Sequence, residues 1–169
     1  MNPEPVLTWK GRRVRSPDDS PETVARKVPL APLRPGSLFF VPSPLEGWGL
    51  NVLLDRLPPE SAVIVMEKDS ALKVHCERGF CDFLGQQAID SRLFWLDTDT
   101  EEAVVSLFLR LPLDRLRRCE FLTFNGAWLI SAPRYRQVFA RLEEGLARWW
   151  SNRIGRSWRR RWGWIRQSR

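Results

Sequence analysis

Between Ser37 and Phe124 the chain alternates apolar runs too short for helices with segments whose apolar residues recur at helical spacing. No other feature constrains the fold as strongly. Ser37-Leu-Phe-Phe-Val41, bounded by Pro35-Gly36 and Pro42, predicts a buried strand. After a loop reaching Gly49, the residues Leu50, Leu53, Leu54 and Leu57 share one helical face, and Pro58-Pro59 stops them. The β-branched run Ala62-Val-Ile-Val-Met66 predicts a second strand, after which Asp69 or Ser70 can cap a helix running to about Glu77, before Gly79. Residues 80–91 suggest a short helix and a turn. Arg92 to Leu96 predicts a third strand, and Thr98-Asp-Thr-Glu101 reads as a capping box opening a helix that ends before Pro112. Cys119 to Phe124 predicts a fourth strand, broken at Asn125-Gly126. Strands separated by helices favour right-handed crossovers, so the expected architecture is an α/β, Rossmann-like, mostly parallel sheet of about four strands covered by helices.

A chain of 169 residues is one domain's length, and 43% hydrophobic with 28% charged residues excludes wholesale disorder. Residues 1–36, rich in proline and polar groups, read as an arm with one short helix, for which Ser20 is the cap and Pro21 the first turn. Residues 37–150 form the expected Rossmann-like domain, and 151–169 a basic, aromatic C-terminal helix. No apolar run approaches the ~20 residues of a membrane helix, and the N-terminus lacks the apolar segment of a secretory signal, so the expected compartment is cytoplasmic. Three cysteines (Cys76, Cys81, Cys119) without a close pair, and a single histidine (His75), are too few soft ligands for a zinc site.

The charge sits in one place. Eight arginines and no acidic residue lie between Arg148 and Arg169, leaving 19 basic against 20 acidic groups elsewhere. The same stretch holds five of the nine tryptophans. At 100° per residue, Val138, Leu142, Leu146 and Trp149 form one stripe of the last helix, which Pro133 can open. Ile154, Trp158, Trp162 and Ile165 centre on the opposite side. One straight helix cannot bury both stripes against one surface, which predicts a kink or break between Ser151 and Gly155.

Two constellations are candidates for function. Glu46-Gly47-Trp48-Gly49-Leu50-Asn51 follows the first strand, and Glu67 ends the second. In open α/β sheets, glycines there let a ligand approach the backbone and a carboxylate there bonds a ribose, so Gly47, Gly49, Asn51 and Glu67 are candidate residues for a nucleotide or S-adenosylmethionine. The competing reading has the glycines shaping a tight turn and Glu67 capping a helix or standing in solvent. The second constellation is the tail: Trp158, Trp162, Ile165, Arg159 and Arg160 suit a protein partner, an absent C-terminal domain or a homo-oligomer. Nucleic acid and an anionic membrane are the alternatives. No catalytic residue is assigned. His75 and Cys76 diverge by about 100° on a helix and make no dyad, while Glu101-Glu102 and Glu143-Glu144 read as solvated faces. Asp97-Thr-Asp99 is explained by helix capping.

Four segments together carry a family likeness: Arg15-Ser-Pro-Asp-Asp-Ser-Pro-Glu-Thr-Val-Ala25; Gly47-x-Gly49-Leu50 with Leu53-Leu54; Asn125-Gly126 followed by Pro133-x-Tyr135; and Trp149-x-x-Asn152 with Gly155-Arg156-x-Trp158. In these the chain resembles the N-terminal region of the motility-associated factor (Maf) flagellin glycosyltransferases, especially the spirochaete-type proteins termed 6-hydroxymethylpterin pyrophosphokinase MptE-like. The resemblance implies a Rossmann-like domain that precedes a second one holding the nucleotide-sugar transferase site, with the Trp158 region at the junction. It implies a short or truncated form without activity of its own, serving assembly or positioning in protein glycosylation; any activity would be glycosyltransferase-like. The glycine loop departs from the family, because Pro42-Ser-Pro44 and Glu46 stand where the family has a more glycine-rich turn.

Overall fold

The computed structural model describes residues 8–15, 18, 20–28, 33–74 and 91–163, with side chains as far as residue 154. The sequence expectations for His75, Cys76, Cys81, residues 80–91 as far as residue 90, and the end of the helix near Glu77 lie outside the described residues.

The arm opens with a hairpin that the sequence reading did not contain. Strands β1 (Thr8–Trp9) and β2 (Arg12–Arg13) pair antiparallel across Lys10 and Gly11, whose φ values are both positive (50° and 71°). Positive φ at both central positions is the turn whose twist matches two-residue hairpins, and a glycine at the second makes it accessible. Helix α1 (Pro21–Ala25) follows, capped by Ser20 through a reciprocal box with Thr23.

The parallel sheet then forms from the runs expected of it. β3 (Ser37–Pro42) leads through α2 (Leu50–Arg56) to β4 (Ala62–Met66). A helix α3 begins at residue 70 and is described over 70–74. β5 (Leu93–Trp95), α4 (Glu101–Arg110), β6 (Arg118–Phe121), a 3₁₀ turn (Ala127–Ser131) and α5 (Ala132–Gly163) complete the order. Neighbouring strands run β5-β4-β3-β6, all parallel, with Phe40 opposite Ile64 on one side and Phe121 on the other. This α/β layer is the Rossmann-like sheet the alternation implied.

The alternation of side chains along each strand explains the two cores. Leu38, Phe40, Ala62, Ile64 and Met66 face α4 and α5, where they meet Val104, Leu107, Tyr135, Val138, Leu142 and Leu146. Phe39, Val41, Val63 and Val65 face the other way, against Val24 of α1 and Leu50, Leu53 and Leu54 of α2. Burial on both faces is why β3 and β4 read as unbroken apolar runs.

Three boundaries differ from expectation. The cap of α4 is Thr100, whose hydroxyl accepts from the Ala103 amide at 3.3 Å, two residues later than the box placed at Thr98. β6 ends at Phe121, and Phe124 instead packs its ring among α1 and α2 residues. Helix α5 runs uninterrupted across residues 151–155, where the two stripes suggested a kink or break. Its first stripe, Val138, Leu142 and Leu146, is buried as the spacing required, while Ile154 of the second is exposed. Among the described residues no helix is long and apolar enough to cross a membrane.

Candidate functional site

From β3 the chain passes on one side to β4 and β5, then returns over α4 to place β6 on the other side of β3. The β3–β6 boundary is therefore the topological switch point, and the crevice beyond the carboxyl ends of these strands is where open α/β sheets hold ligands. Here the residues of that edge form a closed hydrogen-bonded knot.

The knot is centred on Glu67, just past β4 and only 3% exposed. Its Oε1 accepts from the Tyr135 hydroxyl at 3.0 Å and from the Asp69 amide at 2.9 Å, and its Oε2 from the Ser43 hydroxyl. The Tyr135 oxygen in turn accepts from the Lys68 amide at 3.0 Å. One carboxylate thus ties the end of β3, the end of β4 and the first turns of α5. Burial raises the Glu67 pKa above the usual carboxylate value, and the bonds from Ser43, Asp69 and Tyr135 oppose that rise. Burial, followed by the adjacent Glu67 charge, likewise pushes the Tyr135 phenol up. Ser43 holds a left-handed φ of 49°, while its amide donates to Met66 O at 2.8 Å and its carbonyl accepts from Asn125 Nδ2 at 2.8 Å. Strain of that kind persists where the surroundings over-determine a residue.

The hairpin lies across this edge. Trp9 Nε1 donates to Asp69 at 3.1 Å, beside an ion pair of Lys10 with the same carboxylate. Burial pushes the Asp69 pKa up, but the Lys10 and Trp9 bonds outweigh it and the net shift is downward. On the β6 side, Arg12 donates to Leu129 O at 3.0 Å and the Gly126 amide to Val14 O at 3.2 Å. Val14 is fully buried, packed with Leu45, Leu72 and Ala127. Arg15 pairs with Glu46 and stacks 4.1 Å from the Trp48 ring centre. Residues 9–15 therefore cross over the end of β3, from the β4 side to the β6 side.

The loop residues singled out from sequence occupy distinct places in this arrangement. Gly47 and Gly49 are buried and adopt φ of 77° and 83°, the left-handed region glycine reaches without strain. A Cβ on Gly49 would lie 3.3 Å from the Val24 carbonyl oxygen and 3.4 Å from the Phe124 ring, so the backbone approaching this glycine is the chain's own. Asn51 is half-buried in the first turn of α2. Glu67 neither stands in solvent nor caps α3. That cap is Asp69, whose Oδ1 accepts from the Ala71 and Leu72 amides. The contacts of Glu67 run to α5 on one face of the sheet, and those of Gly49 to α1 on the other. Ser43, Asn125 and Tyr135 complete the edge and were not named as site residues from sequence. Tyr135 did carry a signal, being the chain's one tyrosine, three residues before Val138 on the buried stripe.

A second feature lies away from the edge. A cavity of about 810 Å³ opens between α4 and α5, with Val104, Val105, Phe108, Leu109, Gly145 and Trp149 among its lining. Leu109 is 84% exposed and Val105 54%. Glu101, Asp114 and Glu144 stand among its polar residues. Of the tail residues proposed to bind a partner, 158–160 and 162 lie on the helical backbone of α5, their side chains outside the described set, and Ile165 lies outside it altogether. Among the described residues no cluster of histidine, cysteine, aspartate and glutamate could hold a metal ion. Compared with protein-family models, curated proteins and solved structures, the chain matches none.

Proposed function

We propose that this chain is a positioning domain: a Rossmann-like unit of the Maf-like glycosyltransferase kind that serves the assembly of a protein-glycosylation system and does not turn over a donor itself. One observation carries the reading. Over the carboxyl end of β3, where a nucleotide would lie on a sheet of this order, the chain's own residues 9–15 are seated, with Val14 fully buried and bonded to Gly126. Two further features support it. The Glu67 carboxylate is engaged by Ser43, Asp69 and Tyr135, so a ribose would have to displace those donors. The approach to Gly49 is taken by Val24.

The test is a transfer assay with nucleotide-sugar donors and a flagellin acceptor. Purified chain is expected to give no glycosylated product, and robust turnover would overturn the reading. The alternative, a nucleotide- or S-adenosylmethionine-binding enzyme using Gly47, Gly49, Asn51 and Glu67, requires residues 9–15 to leave the edge first. An enzyme of that kind would gain ligand affinity when Val14→Asp loosens the arm. A positioning domain would not.

A further inference from the structure

β6 borders the sheet, with β3 on one side and no described strand on the other. The Arg118 amide donates to Gly36 O at 3.4 Å and the Leu122 amide to Phe40 O at 3.0 Å, so the even-numbered residues of β6 turn their backbone groups toward β3. Those of Cys119 and Phe121 therefore point away from the sheet. Among the described residues nothing takes up their amides or carbonyls. Such a row of open donors and acceptors is a template for a further strand. The side chains flanking it are half-buried, Phe121 and Trp128 toward α5 and Leu122 toward α2.

Charge decides what can add there. Arg118 and Glu120 lie two residues apart on one face of β6. Arg118 is exposed and forms no ion pair with a described residue, and the Glu120 carboxylate is held only by a neutral donor, the Ser37 hydroxyl at 2.6 Å. Antiparallel pairing with a second copy of β6 reverses the order of these two residues. A two-fold axis at Cys119 then sets Arg118 of each chain opposite Glu120 of the other, twice, while the Cys119 amides and carbonyls bond each other and each Phe121 amide meets the Arg117 carbonyl across the axis. An axis at Glu120 would set two carboxylates face to face, and one at Phe121 would set both charges opposite apolar residues. An edge lined by one sign of charge repels its own copy, whereas a cation and a carboxylate at this spacing attract it.

We infer that the chain forms a two-fold homodimer through the outer edges of β6, which join antiparallel, Arg118 against Glu120, into one continuous sheet. Both copies use the same patch, as a closed two-fold interface requires. The inference stands apart from the positioning reading, since the carboxyl ends of the strands take no part in it.

The experiment follows hydrogen exchange of the Cys119 and Phe121 amides of the full chain through a dilution series, beside sedimentation equilibrium of charge-reversed variants. Wild type is expected as a dimer in which both amides are protected, with protection falling on dilution in step with the monomer fraction. Arg118→Glu and Glu120→Arg each turn two attractive pairs into two like-charge pairs, so each is expected to weaken dimerisation on the order of tenfold at low salt. In an equal mixture of the two variants every facing pair is attractive again, and a heterodimer close to wild type in affinity is expected. Arg118→Glu changes an exposed side chain and decides the matter alone if Glu120→Arg, which gives up the Ser37 bond, does not fold. A monomeric wild type, a dimer whose two amides exchange freely, or a dimer indifferent to Arg118→Glu would overturn the inference. So would a monomer whose two amides become protected only on adding an extended peptide of alternating valine and lysine, which would assign the edge to another protein's strand.

Discussion

Replacing Glu67 by alanine removes the acceptor on which Ser43, Tyr135 and the Asp69 amide converge. Each buried donor left without a partner costs about 1–3 kcal/mol, and relief of the carboxylate's own burial offsets part of the sum, for a net loss of about 3 kcal/mol. At about 2–4 °C per kcal/mol for a chain of this size, the melting temperature should fall by about 10 °C. Glu67→Gln separates this mechanism from simple loss of volume. The amide keeps an oxygen toward Asp69 and Tyr135 and turns its NH₂ toward the Ser43 oxygen, which can accept, so at neutral pH stability should stay within about 1 kcal/mol of wild type. Titration adds a signed test. Burial raises the Glu67 pKa in the folded state. A raised folded pKa contributes stability that is fully present below the unfolded value and lost as pH rises through the folded one. Urea denaturation from acid to neutral pH should therefore show wild type losing stability relative to Glu67→Gln as pH climbs. An alanine variant within about 0.5 kcal/mol of wild type, a glutamine variant as damaged as alanine at pH 7, or a wild-type advantage that grows with pH would refute the reasoning.

Gly36 and Gly11 share a left-handed φ (72° and 71°), but a Cβ on Gly36 would lie 2.7 Å from the Arg115 carbonyl oxygen and one on Gly11 would meet nothing within 4 Å. Gly11→Ala should cost about 1 kcal/mol of backbone strain and Gly36→Ala at least about 1 kcal/mol more, measured by urea denaturation; equal costs would contradict the contact. The Cys119 thiol is pushed up to about 12 by burial and then by Glu143. In a Cys76→Ser, Cys81→Ser background, a thiolate-specific reagent at pH 8 should react with the folded chain on the order of 10³-fold more slowly than with the unfolded one, and comparable rates would show the thiol to be open.

The sheet was legible because each central strand is buried on both faces and so appears as an uninterrupted apolar run between turn residues. β3 and β4 lie where Ser37–Val41 and Ala62–Met66 placed them. The hairpin was not legible, because its turn is Lys10-Gly11, without the asparagine or aspartate that marks such turns. Its seat over the end of β3 depends on contacts with Asp69 and Leu129, distant in sequence, that no local pattern encodes. The candidate edge was half legible. Glycine and carboxylate positions follow from strand order, but the partners of Glu67 come from β3 and α5, and only assembled packing reveals that a conspicuous acid at a strand end is already engaged. The cap of α4 shifted from Thr98 to Thr100 although Thr98 carries the box spacing to Glu101 and Thr100 has Ala103 at that spacing: the hydroxyl bond to the Ala103 amide alone makes the cap, and it needs no acid three residues on.

The reading of this chain as a positioning domain rests on the edge of the sheet being occupied by residues 9–15. The most direct measurement is calorimetric titration of the full chain with nucleotide-sugar donors and S-adenosylmethionine. No saturable heat is the expected result. Saturable binding that is lost on Gly49→Val, a substitution at the loop a ligand would have to reach, would contradict it.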